Sequence, residues 1–436
     1  MKEGILLSCV GLLLIIFCSS VSLAQQDNEL PNPGQLGYLK IQQGKKYFSV
    51  LIEFRELEPQ YVASKWKNSF YEFMATINSY MGNYPEALSY FDKRRRQSDY
   101  PPDFHSCLDK YKPFSALKVI QSLADSHQVI FINEAHHVPI HRAFSIRLLK
   151  ILYDKGFRYF AAETLNEIDT ELNHRKYPLL QITGFYTDEP VYGDLVRTAL
   201  KLGFKVIAYE HTVPCNPRKD DNSDCQNQRE RGQAQNLFDR ILAKDPSAKI
   251  LVHAGYGHID ERGNNNWIPM AKYFKEITKI DPFTIDQQTM TEHSTPEYEQ
   301  ADYRYAVEKG LVKEPTIFRS DGGGLWVQKF IRGQYDVQVF HPRSQYKNGR
   351  PDWLLLGGAR KPYQLAPDIC AGSTPCLVQA FIYNEDSNAV PIDQIEISNT
   401  KEIPTLMLPE GKIRIQALDK TGKIIKDFVT IQSVIP

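Results

Sequence analysis

Four apolar segments of this chain run directly into histidine or glutamate. QVIFIN (128–133) ends in Glu134, His136 and His137, with His141 four residues beyond. RYFAA ends in Glu163, KVIAY in Glu210 and His211, and KILV in His253, followed by AGYG and His258. Of the eight histidines between His127 and His258, all but His127 and His174 fall in or just after these segment ends. A lone glutamate there reads equally as a helix cap or an ion-pair partner, and His211 reads equally as the start of a loop. Four ends carrying the same residue types are a stronger signal than any one of them.

Histidine beside carboxylate, with no serine or thiol nucleophile, suits activation of water by a general base. One carboxylate fixes the imidazole tautomer, and a second histidine or an arginine stabilises the developing oxyanion. The same side chains, His136, Glu163 and His258 above all, are also the residue types that bind zinc or manganese. The sequence has no GxSxG elbow, no HEXXH, no CxxC and no cysteine–histidine pair in a recognisable nucleophile context.

The elements that must position these residues alternate between strand and helix. Apolar runs at 128–133, 158–163, 205–210 and 249–255 are separated by amphipathic stretches around 139–155, 189–202 and 229–244. This predicts an α/β domain, a mostly parallel sheet covered by helices, over about 116–365. The carboxyl ends of such strands share one rim, where ligands bind. Tyr61–Gln97 reads as helices, including one tetratricopeptide-like pair with Gly82 and Pro85 at its turn, within a helical segment 25–115. YDVQVFHP and WLLLGG read as a last strand and a return to the core. From about Ala366, LVQAFIYNE, DQIEISN, IPTLMLPEGKIRIQALD and IKDFVTIQ predict a small β-sandwich-like packing or interaction module without ionisable clusters.

Lys+Arg 52 balances Asp+Glu 52, and 42% of residues are hydrophobic, an ordinary globular composition with no electrostatic case for nucleic acid. Residues 1–24 read as a secretory signal: Lys2, an apolar run from Ile5 to Phe17, and Ser22-Leu23-Ala24 before the cut. No later stretch approaches the ~20 apolar residues of a membrane helix. The expected location is therefore secreted or periplasmic. There Cys215 with Cys225, and Cys370 with Cys376, are spaced to close local disulfide loops, leaving Cys107 as a buried, unreactive thiol.

INEAHHVPIHRAF, a helix, and then LYDKGFRYFAAET resemble the first motif of the erythromycin esterase family, a Gly-Glu-x-x-His segment followed after a helix by a strand ending in glutamate. RERGQAQNLFDRILAKDPSAKILVHAGYGHI is similar to that family's arginine-containing helix and its Ala-His-Asn-x-His strand end. WIPMAKYFKEI and FTIDQQTM continue the likeness, which covers about 116–292. The resemblance implies Glu134 as the family glutamate, His137 as its base-like histidine, Glu163 at the second strand end, Arg229 and Arg231 on the helix, and His253 and His258 later. Asn133, Gln233 and the Gly255-Tyr256 pair depart from its pattern. Glu134-x-His136 with His141 also resembles the ChaN-like haem-uptake proteins. Gly255-x-x-His258 resembles the metal-dependent Tiki/TraB-like relatives.

The expectation is an exported hydrolase that cleaves an ester or lactone of a small-molecule substrate. His137 or His136 acts as base, oriented by Glu134 or Glu163, while His253, His258 and Arg231 bind or polarise the carbonyl. Arg229, Glu210, Tyr256 and His141 complete the substrate-binding set. Arg231 lies three residues before Ala234, which predicts that it faces the packed side of its helix near the rim. Haem and a divalent metal ion are the cofactors the two alternative branches imply.

Overall fold

A computed structural model describes residues 30–97, 106–212, 222–399 and 402–433; the expected signal sequence and Cys215 lie outside them. Four helices open the described chain: α1 (Pro33–Gln42), α2 (Tyr47–Val62), α3 (Lys67–Tyr80) and α4 (Tyr84–Asp92). The α3–α4 turn passes through Gly82 at φ +76°, where added side-chain bulk would meet the Gln394 carbonyl. β1 (Lys112–Ser115) leads into α5 (Ala116–Leu123) and, after it, the central sheet.

That sheet contains β2 (Val129–Glu134), β3 (Tyr159–Ala162), β4 (Lys205–Ala208), β5 (Ile250–Gly255), β6 (Phe283–Asp286) and β8 (Val337–Gln338). Its order is β4-β3-β5-β2-β6-β8 and every pairing is parallel. α6 (Ile140–Asp154), the short α7 (Leu172–Arg175), α8 (Pro190–Leu202), α9 (Asn222–Leu237) and α10 (Met270–Thr278) lie in the crossovers. Alternation along the strands divides the core in two. Ile130, Ile132, Phe160 and Leu251 pack with α5, α6 and α8, while Val129, Phe131, Ala161 and Val252 pack with α9 and α10. α11 (Ala301–Glu308) precedes β7 (Thr316–Arg319), which pairs antiparallel with β1.

The expected last strand shrinks to the two residues of β8. WLLLGG forms a 3₁₀ turn (Asp352–Gly358) that buries Leu354 and Leu356, just after the short ladder of β9 (Tyr346–Lys347) and β10 (Arg350–Pro351). The tail is antiparallel and begins at β11 (Lys361–Gln364), which pairs with β14 (Thr405–Leu408). β12 (Cys376–Ile382), β13 (Asp393–Ile397), β15 (Gly411–Asp419) and β16 (Ile424–Gln432) form a four-stranded sheet in the order β13-β12-β15-β16. Cys370 and Cys376 form a disulfide at the start of its inner strand β12. Cys107 is exposed, against the expected burial, because it starts a one-turn 3₁₀ helix that buries only Leu108.

The tail does carry buried ionic groups. Glu396 accepts from Arg55 of α2 at 2.6 and 2.8 Å, and Asp393 pairs with the buried Arg350. Leu377 and Leu418 join the α1–α3 core. The helical segment and the tail, distant in sequence, therefore share one interface.

Candidate active site

Glu134, the last residue of β2, keeps the orientation of Ile130 and Ile132, so its carboxylate faces α6 and α8. There Arg142 reaches it through Nε and Nη2 at 2.6 and 2.7 Å. Arg142 also donates to Glu189 at 2.9 Å, and Glu189 caps α8 by accepting from the backbone of Val191 and Tyr192. All three charged side chains are fully buried. Burial alone would raise Glu134, but the Arg142 guanidinium and then His136 hold it far below the usual carboxylate range.

His136 Nδ1 lies 2.9 Å from Glu134 Oε1. Because that carboxylate is ionised, it accepts from Nδ1–H, and Nε2 is the ring nitrogen left to face other partners. The ring stacks on Tyr186 at 3.7 Å, and Tyr256 meets it edge-on at 4.9 Å. Tyr186 is itself fixed by a hydrogen bond from its N–H to Thr164 Oγ1 at 2.9 Å.

Glu163, one residue beyond β3, keeps the opposite orientation, that of Ala161, and so faces α9. Its carboxylate accepts from Arg229 Nη2 at 2.9 Å and from the Gly255 backbone N–H. Arg229 also binds Glu210 at 2.6 and 3.0 Å. His258 lies 3.4 Å from Glu163 through Nε2 and 2.8 Å from Glu230 through Nδ1. Arg229 and His258 approach to 3.2 Å, two cationic groups held together by the carboxylates of Glu163, Glu210 and Glu230. Burial opposes charging of His258, yet Glu163 and Glu230 raise it to about 10, so it is an imidazolium at neutral pH. Burial would raise Glu163, and His258, His136 and Arg229 instead hold it well below its ordinary value.

The two clusters meet at Gly255. A side-chain carbon there would lie 2.6 Å from His136 Nε2 and 2.9 Å from Glu163 Oε2, so only glycine allows that nitrogen and the carboxylate to share this notch. The residues just past the two strand ends, Thr164 (φ +75°) and Tyr256 (φ +44°), both adopt left-handed backbone. Such conformations cost on the order of 1–3 kcal/mol and are held by surrounding structure, often at functional sites. A cavity of about 390 Å³ opens over His136, Tyr186 and Tyr256, walled by Tyr38 of α1 and Phe73 of α3. The helical segment thus builds part of the site rather than preceding it.

His137 turns the other way. It is buried, stacks on Phe91 at 3.7 Å, and its Nδ1 lies 3.4 Å from the Tyr256 hydroxyl. His141 accepts from the Ala135 N–H at 3.1 Å. His253 lies beneath the rim, fully buried, its Nε2 3.8 Å from Glu134, and neither ring nitrogen has a hydrogen-bond partner among the described residues. Arg231 is exposed, contrary to expectation. The buried stripe of α9 is Glu230, Gln233, Ala234 and Leu237, with Arg229 and Arg231 on its opposite flanks, about 100° either side. The rim lies on the Arg229 flank.

Arg142, Glu189, Glu230, Tyr186 and Asn133 are the members that sequence reasoning missed. Asn133 ties three strand ends together, donating to Tyr256 O and Asp286 Oδ1 at 3.0 and 2.9 Å and accepting from Gln287 N at 2.8 Å. Only Arg142 left a signal, an arginine inside the apolar run of α6.

His136, Glu163 and His258 do not fit a metal ion. Glu163 already accepts from a guanidinium and a backbone amide, and His258 is charged and bound at both nitrogens, so a cation would meet Arg229 instead of free lone pairs. Among the described residues, no three His, Cys, Asp or Glu side chains are grouped to hold one. Haem fits no better, because His136, which lines the cavity, is crowded at Nε2 by the Gly255 backbone and the Glu163 carboxylate, too closely for the plane of a porphyrin.

Burial sets the pH response. It lowers His253 to about 4 and, with the Arg147 charge, His341 to about 3. Both rings stay neutral in the fold while the unfolded chain takes up protons below its pKa of about 6.5. Their contribution is complete above that pH and declines as pH falls toward 4, by about 3 kcal/mol for each group. His258 has the opposite sign: its contribution is full below about pH 6.5 and disappears as pH rises through 10. Melting temperature followed by circular dichroism is expected to drop steeply between pH 6.5 and 4. A flat profile over that range would show that these rings are solvated.

No protein-family model matches the chain, and no curated protein matches it. Among solved structures it is similar to the type III effector HopBA1, with TM-score 0.29 and 13% identity over 41% of this chain and 85% of that one. A structure described as "Bacterial protein toxins" gives TM-score 0.31 and 9% identity over 52% and 48%. RRSP, a MARTX toxin effector domain from Vibrio vulnificus CMCP6, gives 0.28 and 11% over 62% and 48%. Likenesses this distant carry no argument about fold or activity.

Proposed function

We propose that the chain is an exported hydrolase that cleaves an ester or lactone with water activated by His136. The observation that carries this reading is the Glu134–His136 pair, whose Nε2 shares the Gly255 notch with the Glu163 carboxylate. Water bound there gives its proton to Nε2 as its oxygen attacks the substrate carbonyl. Glu134 stabilises the imidazolium that forms. Arg229 and the charged His258, their N–H groups held by the carboxylates, favour the oxyanion through their charge, and the imidazolium then returns its proton to the departing alkoxide. Tyr186, Tyr256 and Phe73 supply apolar contact for the body of the substrate. The Cys370–Cys376 disulfide supports an oxidising location.

The test is hydrolysis of a panel of aryl esters and lactones of different ring size by the protein lacking residues 1–24, with and without chelator. Turnover that resists chelator is expected. Turnover lost on chelation would replace this mechanism with a metal-dependent one. No turnover across the panel would remove ester and lactone hydrolysis as the reading.

A further inference from the structure

A second cavity, of about 360 Å³, lies on the far side of α6 from His136, in the size range of small-molecule sites. Its walls are largely apolar: Ile140 and Phe144 of α6, Pro315, Pro342, Trp353 and Leu355. Two polar groups lining it lack partners. Arg147, half-buried one turn beyond Ala143, has no hydrogen bond or ion pair among the described residues, and its Nε lies near the open side of Gly357. His341 is fully buried, and its Nδ1 has no hydrogen-bond partner among the described residues.

The hydrogen-bond network fixes what His341 offers. Gln287 donates through Nε2 to the Asn133 carbonyl at 2.7 Å, so its Oε1 accepts from His341 Nε2 at 3.1 Å. Nε2 therefore carries the proton and Nδ1 is a free acceptor, in a ring that burial keeps uncharged. An unmet acceptor in a dry wall is costly, and a ligand that donates to it recovers that cost. At the mouth, Glu314 accepts from Ser115 and Asp352 from the Gln345 N–H, while Lys313 is exposed. Of the two cations that line the cavity, Arg147 is the half-buried one and Lys313 the exposed one.

We infer that this cavity binds a small aromatic or alicyclic acid that carries an N–H or O–H donor, its carboxylate on Arg147 and its donor on His341 Nδ1. The apolar walls select the body, and the two polar groups fix its direction. The site is separate from the His136 notch and does not depend on the reaction assigned there.

Indole-3-acetate has all three features and serves as the probe, with 3-methylindole as the same body without the acid. Isothermal titration of the protein lacking residues 1–24 is expected to show one-site binding of indole-3-acetate. Binding of 3-methylindole should be at least tenfold weaker. Arg147→Gln, at a half-buried position that holds no other group, should weaken indole-3-acetate at least tenfold and leave 3-methylindole unchanged. His341→Phe should weaken both. No binding of indole-3-acetate at millimolar concentration would overturn the proposal, as would binding that Arg147→Gln leaves intact.

Discussion

Turnover by the His136→Ala protein is expected to fall by about 10²–10⁴-fold, the usual contribution of a positioned general base. His137→Phe is expected to keep most of it. The two neighbours differ in everything that matters for proton transfer. His136 has an ionised carboxylate on Nδ1 at 2.9 Å and an Nε2 that reaches the notch beside Glu163. His137 stacks under Phe91, and burial, with Arg95 next, pushes its basicity well down. Phenylalanine preserves that stack, so His137→Phe removes the imidazole without leaving a cavity. The assay is kcat/KM for the best panel substrate, with melting temperatures alongside to show that both variants fold. Loss in His137→Phe with retention in His136→Ala would move the base to the other ring and sink the mechanism.

Arg142→Leu should destabilise the fold by about 3–5 kcal/mol, the loss expected when one member of a buried ion group leaves its partners uncompensated. Two carboxylates, Glu134 and Glu189, face Arg142, and none of the three is exposed. Glu189 keeps its backbone donors at the start of α8, so most of the damage falls on Glu134. Without the guanidinium, burial raises the pKa of Glu134 above its unfolded value. The sign follows: the variant's deficit is largest where the unfolded carboxyl is ionised, and shrinks as pH falls and the buried group takes a proton. Urea unfolding at pH 8 and pH 5 measures both the size and the sign. A deficit below about 1 kcal/mol at pH 8 would mean that water or another cation reaches Glu134.

Much of the site was legible because strands announce themselves. The β-branched runs of β2 and β5, buried on both faces, could only be inner parallel strands. With β3 beside them, their carboxyl ends had to share a rim, which places Glu134, Glu163 and His258 together with His253 just beneath. The period-2 alternation of a strand even divides them: Glu134 points with Ile132 toward α6, and Glu163 with Ala161 toward α9.

The choice between neighbours was not legible. His136 and His137 both follow the last strand residue, where the alternation no longer applies. Their directions are set by Tyr186 on one side and Phe91 on the other, and neither aromatic is near them in sequence. Arg229 and Arg231 flank the same buried stripe symmetrically, so helical periodicity gives both equal claim. Only the position of Glu163 and Glu210 selects Arg229. The docking of α1–α4 on the tail through Arg55 and Glu396 joins residues 341 positions apart, beyond the reach of any local pattern. Residue types and strand periodicity determined that a rim of histidines and carboxylates exists. Long-range packing decided which of them face one another, because a side chain's direction past a strand end depends on what packs against it.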